Sequence, residues 1–170
     1  TLDRSSAASD VYKRQRFRTS FQESANQSAA LRATIARLDA EVLGKDHIAF
    51  PDDIDPTSAL ARSEQELFKS RRDKLQEGIS AINRQVRLSQ QQLDLVEPLV
   101  AKRAVSQMEA LKLSQEIANL NGKLSELRSS YFQDAYTERQ SKKSELSALE
   151  PIVQQRQDQL RRTEILSPVR

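Results

Sequence analysis

Apolar side chains return at alternating steps of three and four residues along most of this chain, the spacing that keeps them on one face of a helix. Phe21, Ala25, Ser28, Leu31, Ile35, Leu38 and Val42 mark a first helix over residues 16–43, which Gly44 is placed to close as a C-cap. Over residues 58–102 the stripe Ala61, Gln65, Phe68, Arg72, Leu75, Ile79, Ile82, Val86, Ser89, Leu93, Val96 and Val100 is narrow, a heptad seam rather than the broad face of a globular helix. Ser106 and Glu109 have the spacing of a capping box and open a third helix over residues 107–164. Its seam runs Ala110, Leu113, Ile117, Leu120, Leu124, Leu127, Tyr131, Ala135, Arg139, Lys142, Leu146, Leu149, Val153, Arg156 and Leu160. The two consecutive steps of four at Leu127, Tyr131 and Ala135 are a stutter, which locally unwinds a left-handed supercoil.

Breaker residues separate these helices. Residues 44–57 hold a Gly, two Pro and four Asp and form a loop. Its acids lack the alternating ligand spacing and distal Glu of an EF-hand, and His47 has no second His beside it, so neither calcium nor histidine chemistry is expected. Residues 103–106 are the tip of a hairpin, and Pro98 is expected to disturb the second helix just before it. Residues 1–15 have no sustained apolar period; from Ser5 to Gln15 they resemble a tail found on unrelated gene predictions. They are expected to be disordered and foreign to the fold.

The short connection between the second and third helices makes them fold back as an antiparallel pair. Facing seam residues then have numbers adding to 206, which sets Val96 against Ala110, Ile82 against Leu124 and Ile79 against Leu127. Beyond the stutter, Phe68 faces Arg139, the expected weak stretch of the seam. The third helix outruns the second by about 13 residues, roughly 20 Å. If loop 44–57 bulges out, the first helix can continue the second in line and cover that excess, with partners adding to 191, such as Leu38 with Val153 and Ile35 with Arg156. The fold expected is therefore all-α: an elongated antiparallel coiled-coil hairpin of three helices, two in line against one long helix. A compact three-helix bundle needs helices of similar length and fits less well.

Composition narrows the chemistry. Without Cys, and with a single His, the 170 residues exclude a disulfide framework, a thiolate metal site and a His-based triad. No catalytic residue, cofactor or metal is expected. The net charge of +3 comes from both signs interspersed over the chain, which describes solvated helix faces and not a nucleic-acid footprint. No apolar run approaches the length of a membrane span and no signal peptide is visible, so any membrane anchor is expected outside this chain.

The end of the sequence carries a more specific signal. Arg162, Thr163, Ile165, Ser167, Pro168, Val169 and Arg170 resemble the entry to the second half of a lipoyl-like domain in periplasmic membrane fusion proteins, so residues 165–170 are expected to begin a β segment. The stretch Pro98 to Ser106 resembles the hairpin tip of that family's type I secretion branch, the HlyD-like adaptors, with Arg103 where the family commonly has Gly. Leu67–Arg72, Arg37–Glu41 and Met108–Leu113 are similar too. In the related efflux branch an Arg-Leu-Ser pattern at the tip meets the channel; Leu99 and Ser106 match, while Leu95 stands at the Arg position and Lys102 or Arg103 can supply the charge.

This resemblance implies a periplasmic, homo-oligomeric adaptor anchored in the inner membrane. It would touch an outer-membrane channel through Leu99, Lys102, Arg103 and Ser106, and an inner-membrane ABC transporter through parts outside this chain. Periodicity alone is equally compatible with a generic coiled-coil spacer or oligomerisation arm.

Overall fold

A computed structural model describes the backbone of residues 2–166 and the side chains of residues 4–166. Three helices make up the fold, α1 (Leu2–Val42), α2 (Ala59–Ala101) and α3 (Gln107–Ile165), with no strand among the described residues. The all-α, three-helix expectation is borne out.

Each helix end is closed as its local sequence suggests. Gly44 takes a left-handed φ of 64°. That lets the Lys45 N–H reach the Ala40 carbonyl at 2.9 Å and the Gly44 N–H reach the Glu41 carbonyl at 3.3 Å, the Schellman closure that satisfies orphan carbonyls. Asp55 organises the other end of the connection: its Oδ1 accepts the Thr57 N–H at 2.9 Å and the Thr57 hydroxyl at 2.8 Å. Ser58 follows as the N-cap of α2, its Oγ accepting the Ala61 N–H at 3.2 Å.

One expectation about helix limits is corrected. Residues 2–15 are helical, not disordered, because no Pro or Gly occurs before Gly44 and extending an existing helix costs far less than nucleating one. The side chains of residues 4–15 are nearly all exposed, which is why no apolar period marked them. α2 runs through Pro98 to Ala101, within one residue of the expected limit, and α3 likewise runs through Pro151. Both prolines are solvent-exposed, where water can satisfy the carbonyls they leave without an N–H donor.

The chain divides into two compact units. One holds α2 from Glu66 and α3 up to Ala135 and is a simple antiparallel pair. Every α3 seam position from Ala110 to Ala135 is partly or fully buried, while the positions between them are exposed. Leu93, Leu120 and Ser89 are the closed part of the seam. Gly78 lies against Leu127, whose Cδ2 is 2.8 Å from where a Cβ would sit, so the register is within one residue of that expected. At the stutter the seam position Arg72 is exposed; its neighbour Arg71 instead lies 5.4 Å over the Tyr131 ring, a cation–π contact.

The other unit holds α1, the connection, about the first two turns of α2 and α3 from Tyr136. Here the in-line expectation is corrected. Thr34 and Arg37 both bond Glu64, and Ala33 packs with Ala61 and Ile54, so the last turns of α1 run alongside the start of α2 instead of abutting it. The connection does not bulge away: Ile54 is buried on α1 and α2, with Phe50 and Leu60 at its edge. Along α3, the pairs Ser20–Arg156, Arg37–Glu138 and Asp39–Arg139 have numbers adding to 176, 175 and 178, about two heptads below 191. A heptad pattern is blind to shifts of seven; burial of Ile54 and pairing of these charges select among them. With neighbours on more than one side, α1 buries Ser24, Ser28, Ala33, Ala36, Arg37, Leu38, Ala40 and Glu41 on several faces.

Candidate functional site: the hairpin tip

The tip is built from the last turn of α2, five linking residues and the first turn of α3. The Arg103 N–H bonds the Val100 carbonyl at 3.0 Å and the Ala104 N–H bonds the Leu99 carbonyl at 2.9 Å, a second Schellman closure. This closure needs a left-handed residue after the helix, and Arg103 supplies it with φ 56°. A side chain there carries a Cβ clash with the following carbonyl that costs about 1–2 kcal/mol and that Gly escapes.

Ser106 caps α3, but differently from the expected box. Its hydroxyl accepts the Met108 N–H at 3.1 Å, while the Glu109 N–H bonds the Ser106 carbonyl at 3.1 Å. The reason is geometric: an N-cap oxygen reaches either the second or the third helical N–H, and here it sits nearer the second.

Leu99, Lys102, Arg103 and Ser106 are thus gathered at one helix-loop-helix end, and all are exposed, Leu99 by 41%. Leu95 and Leu88 on α2, and Met108 and Leu111 on α3, add exposed apolar surface outside the seam. Sequence reasoning named Leu95 and the Met108–Leu113 run only for their resemblance to the family and passed over Leu88; the off-seam positions of all four were the signal of their exposure. Lys102 and Arg103 make no ion pair among the described residues. The tip is thus an exposed end that is both apolar and cationic.

The lipoyl-entry residues fall at the other end of α3. Arg162, Thr163 and Ile165 are still helical, the Thr163 hydroxyl donating to the Leu160 carbonyl at 2.6 Å, so the expected change to extended chain at residue 165 is corrected. The first helix breaker after them is Pro168. Ser167, Pro168 and Val169 lie outside the described residues.

Elsewhere, His47 is exposed in the connection, and no group of three or more His, Cys, Asp or Glu is placed to hold a metal among the described residues. No described helix is long and apolar enough to cross a membrane.

Comparison with known proteins agrees with this geometry. Residues 17–87 match the family of the AprE long α-helical hairpin. The fold is similar to the crystal structure of the soluble domain of LipC, a membrane fusion protein of a type I secretion system. That match has a TM-score of 0.55 at 19% sequence identity and covers 90% of this chain and 94% of that one. No curated protein gives a significant sequence match. The resemblance read from the sequence agrees with both comparisons: residues 17–87 are similar to the AprE long α-helical hairpin family, and nine-tenths of the chain shares the fold of the soluble domain of a type I secretion membrane fusion protein.

Proposed function

We propose that this chain is the helical arm of a periplasmic adaptor. It bridges an inner-membrane ABC transporter and an outer-membrane channel and forms part of a conduit for an exported protein. The observation that carries this reading is the exposed apolar and cationic tip on a hairpin of the membrane fusion protein fold. Leu99 is too exposed for the fold to need it, so its apolar surface is available to a partner's helices. Leu88, Leu95 and Leu111 extend this surface along the outer faces of the hairpin, which suits neighbouring copies side by side. Contact with the transporter lies in parts of the protein outside this chain, entered through Arg162, Thr163, Ile165, Ser167, Pro168 and Val169 as the start of a lipoyl-like half. The arm works as a positioned surface and carries no catalytic residue.

The test is Leu99→Asp in the full-length protein. It folds and melts like wild type, yet loses channel binding and secretion. A folded Leu99→Asp variant that secretes normally returns the chain to a coiled-coil spacer.

A further inference from the structure

Outside its seam, α2 keeps a second heptad: Leu67, Leu88 and Leu95 are whole multiples of seven residues apart, and all three are exposed. On α3 the exposed Leu111 and Phe132 do the same, three heptads apart. Residues at that spacing keep to one side of a coiled-coil helix, so each helix carries an apolar stripe besides its seam. The two stripes lie on opposite faces of the antiparallel pair. Lys74, one heptad after Leu67, lines a groove with Ser130, and Leu88 lines another with Asn119 and Lys123, which fixes the face that the α2 stripe shares with α3. Phe132 comes two residues after Ser130, about 200° further round α3, and so points away from that face.

The groove beside Lys74 measures about 170 Å³, with Leu75, Leu127 and Tyr131 as its apolar lining and Arg71, Lys74 and Ser130 at its rim. Apolar cavities of roughly 150 Å³ accept a benzene ring. In the register set by Gly78 against Leu127, Phe132 stands level with this groove, on the other face, and Leu111 stands level with Leu95 to within one residue. The Phe132 ring is held edge-on to Tyr131, with centroids 5.6 Å apart, and is still 43% exposed.

We propose that this groove receives Phe132 of a second copy of the chain, α3 of one copy packing along α2 of the next. This rests on the adaptor reading above and names the contact that joins its copies. Ring and groove lie on opposite faces, so the contact is heterologous and each copy uses both faces. When such a contact closes into a ring of copies there is no rise between them, and residues of equal height meet. Leu95 then meets Leu111 of the next copy, and Lys74 lies beside the incoming Phe132, a cation against an aromatic ring.

The test is disulfide crosslinking in cells that make two differently tagged copies of the full-length protein, one carrying Leu95→Cys and the other Leu111→Cys. These 170 residues contribute no other Cys. A product carrying both tags is expected, with no dimer from either variant alone. Ala81→Cys with Leu111→Cys, about 21 Å out of step, should not crosslink. Phe132→Asp should cut the mixed product about tenfold, a modest fraction of what burying one ring supplies, with helicity and melting unchanged. Ser130→Trp, which fills the groove from its own chain, should do the same. A mixed product that survives both substitutions overturns the proposal, as do dimers formed by one Cys variant alone, which mean a two-fold contact. No mixed product in cells that still secrete overturns it too and leaves the adaptor reading standing. Mixed product in cells whose wild-type protein supports no secretion overturns the adaptor reading and leaves the contact between copies in place.

Discussion

Arg37 Nε donates to Glu64 Oε2 at 2.6 Å, joining α1 to α2, while the same guanidinium reaches Glu41 within α1 at 3.1 Å and Glu138 on α3 at 3.6 Å. Arg37 is 2% exposed and Glu41 1%, so this is a buried charge cluster at the junction of three helices. Burying ions costs several kcal/mol each, and their attraction offsets this only when every member is present. Arg37→Ala should therefore destabilise by about 3–5 kcal/mol, because it removes from the interior the cation that faces Glu41, Glu64 and Glu138. Replacing Arg37, Glu41 and Glu64 together with Met or Leu should cost less than Arg37→Ala alone. Urea unfolding of the two variants checks the order.

The register of α1 on α3 makes a second prediction. Pairs adding to about 177 set Ser28 opposite Leu149 and Ser24 opposite Val153, all partly or fully buried. The protein has no native Cys, so introduced pairs report cleanly. Ser28→Cys with Leu149→Cys should oxidise within one chain, since facing positions meet the Cβ separation a disulfide needs. Leu38→Cys with Val153→Cys should stay reduced, being two heptads, about 21 Å, out of step. Non-reducing electrophoresis and mass mapping read both.

Two helical glycines should respond unequally to the same change. At Gly122 nothing lies within 4 Å of an added Cβ, so Gly122→Ala should stabilise by about 0.8–1 kcal/mol through helix propensity. At Gly78 the new Cβ would sit 2.8 Å from Leu127 Cδ2. That methyl can swing away only by loosening the seam, so Gly78→Ala should gain less and Gly78→Val should destabilise. Thermal melts of the three variants decide it.

The connection should weaken in acid. The Arg32 guanidinium, hydrogen-bonded to Asp53 at 2.5 Å, lowers that carboxyl below its ordinary 3.8, and the Thr57 N–H, with its hydroxyl, does the same for Asp55. A carboxylate depressed in the folded state stabilises above its unfolded pKa, and the contribution is lost as pH falls through the folded value. Amide protection factors at residues 53–55, 57 and 58 should therefore fall below about pH 4, and Asp55→Asn should bring much of that loosening to neutral pH. An unchanged exchange profile in Asp55→Asn would count against this role.

Residues 2–15 are helical, and the side chains of residues 4–15 are almost wholly exposed. Deleting them should lower the circular dichroism signal in proportion to the turns removed and leave the melting midpoint unchanged within about 1 °C. A lower midpoint would show that this extension contributes to packing.

The seam of α3 was legible residue by residue: all positions from Ala110 to Leu160 that recur at heptad spacing are partly or fully buried. Its polar members are no exception, because Arg139 meets Asp39 and the Tyr136 ring, and Arg156 meets the Ser20 carbonyl. The tip was legible through Ser106 and the similarity of residues 98–106 to a known hairpin tip. The strain at Arg103 was not, since φ follows from how the turn closes rather than from the residue's own preference.

By itself the sequence determined which residues are helical seam and where the second and third helices turn, because those depend on local spacing, caps and a short connection. It could not choose the position of α1. A seven-residue repeat looks the same after every slide of seven, and a 16-residue connection permits several. Only the packed structure, by burying Ile54 between Ala33 and Ala61 and joining Arg37 to three carboxylates on three helices, selected one register and turned an apparent two-helix arm into a local three-helix junction.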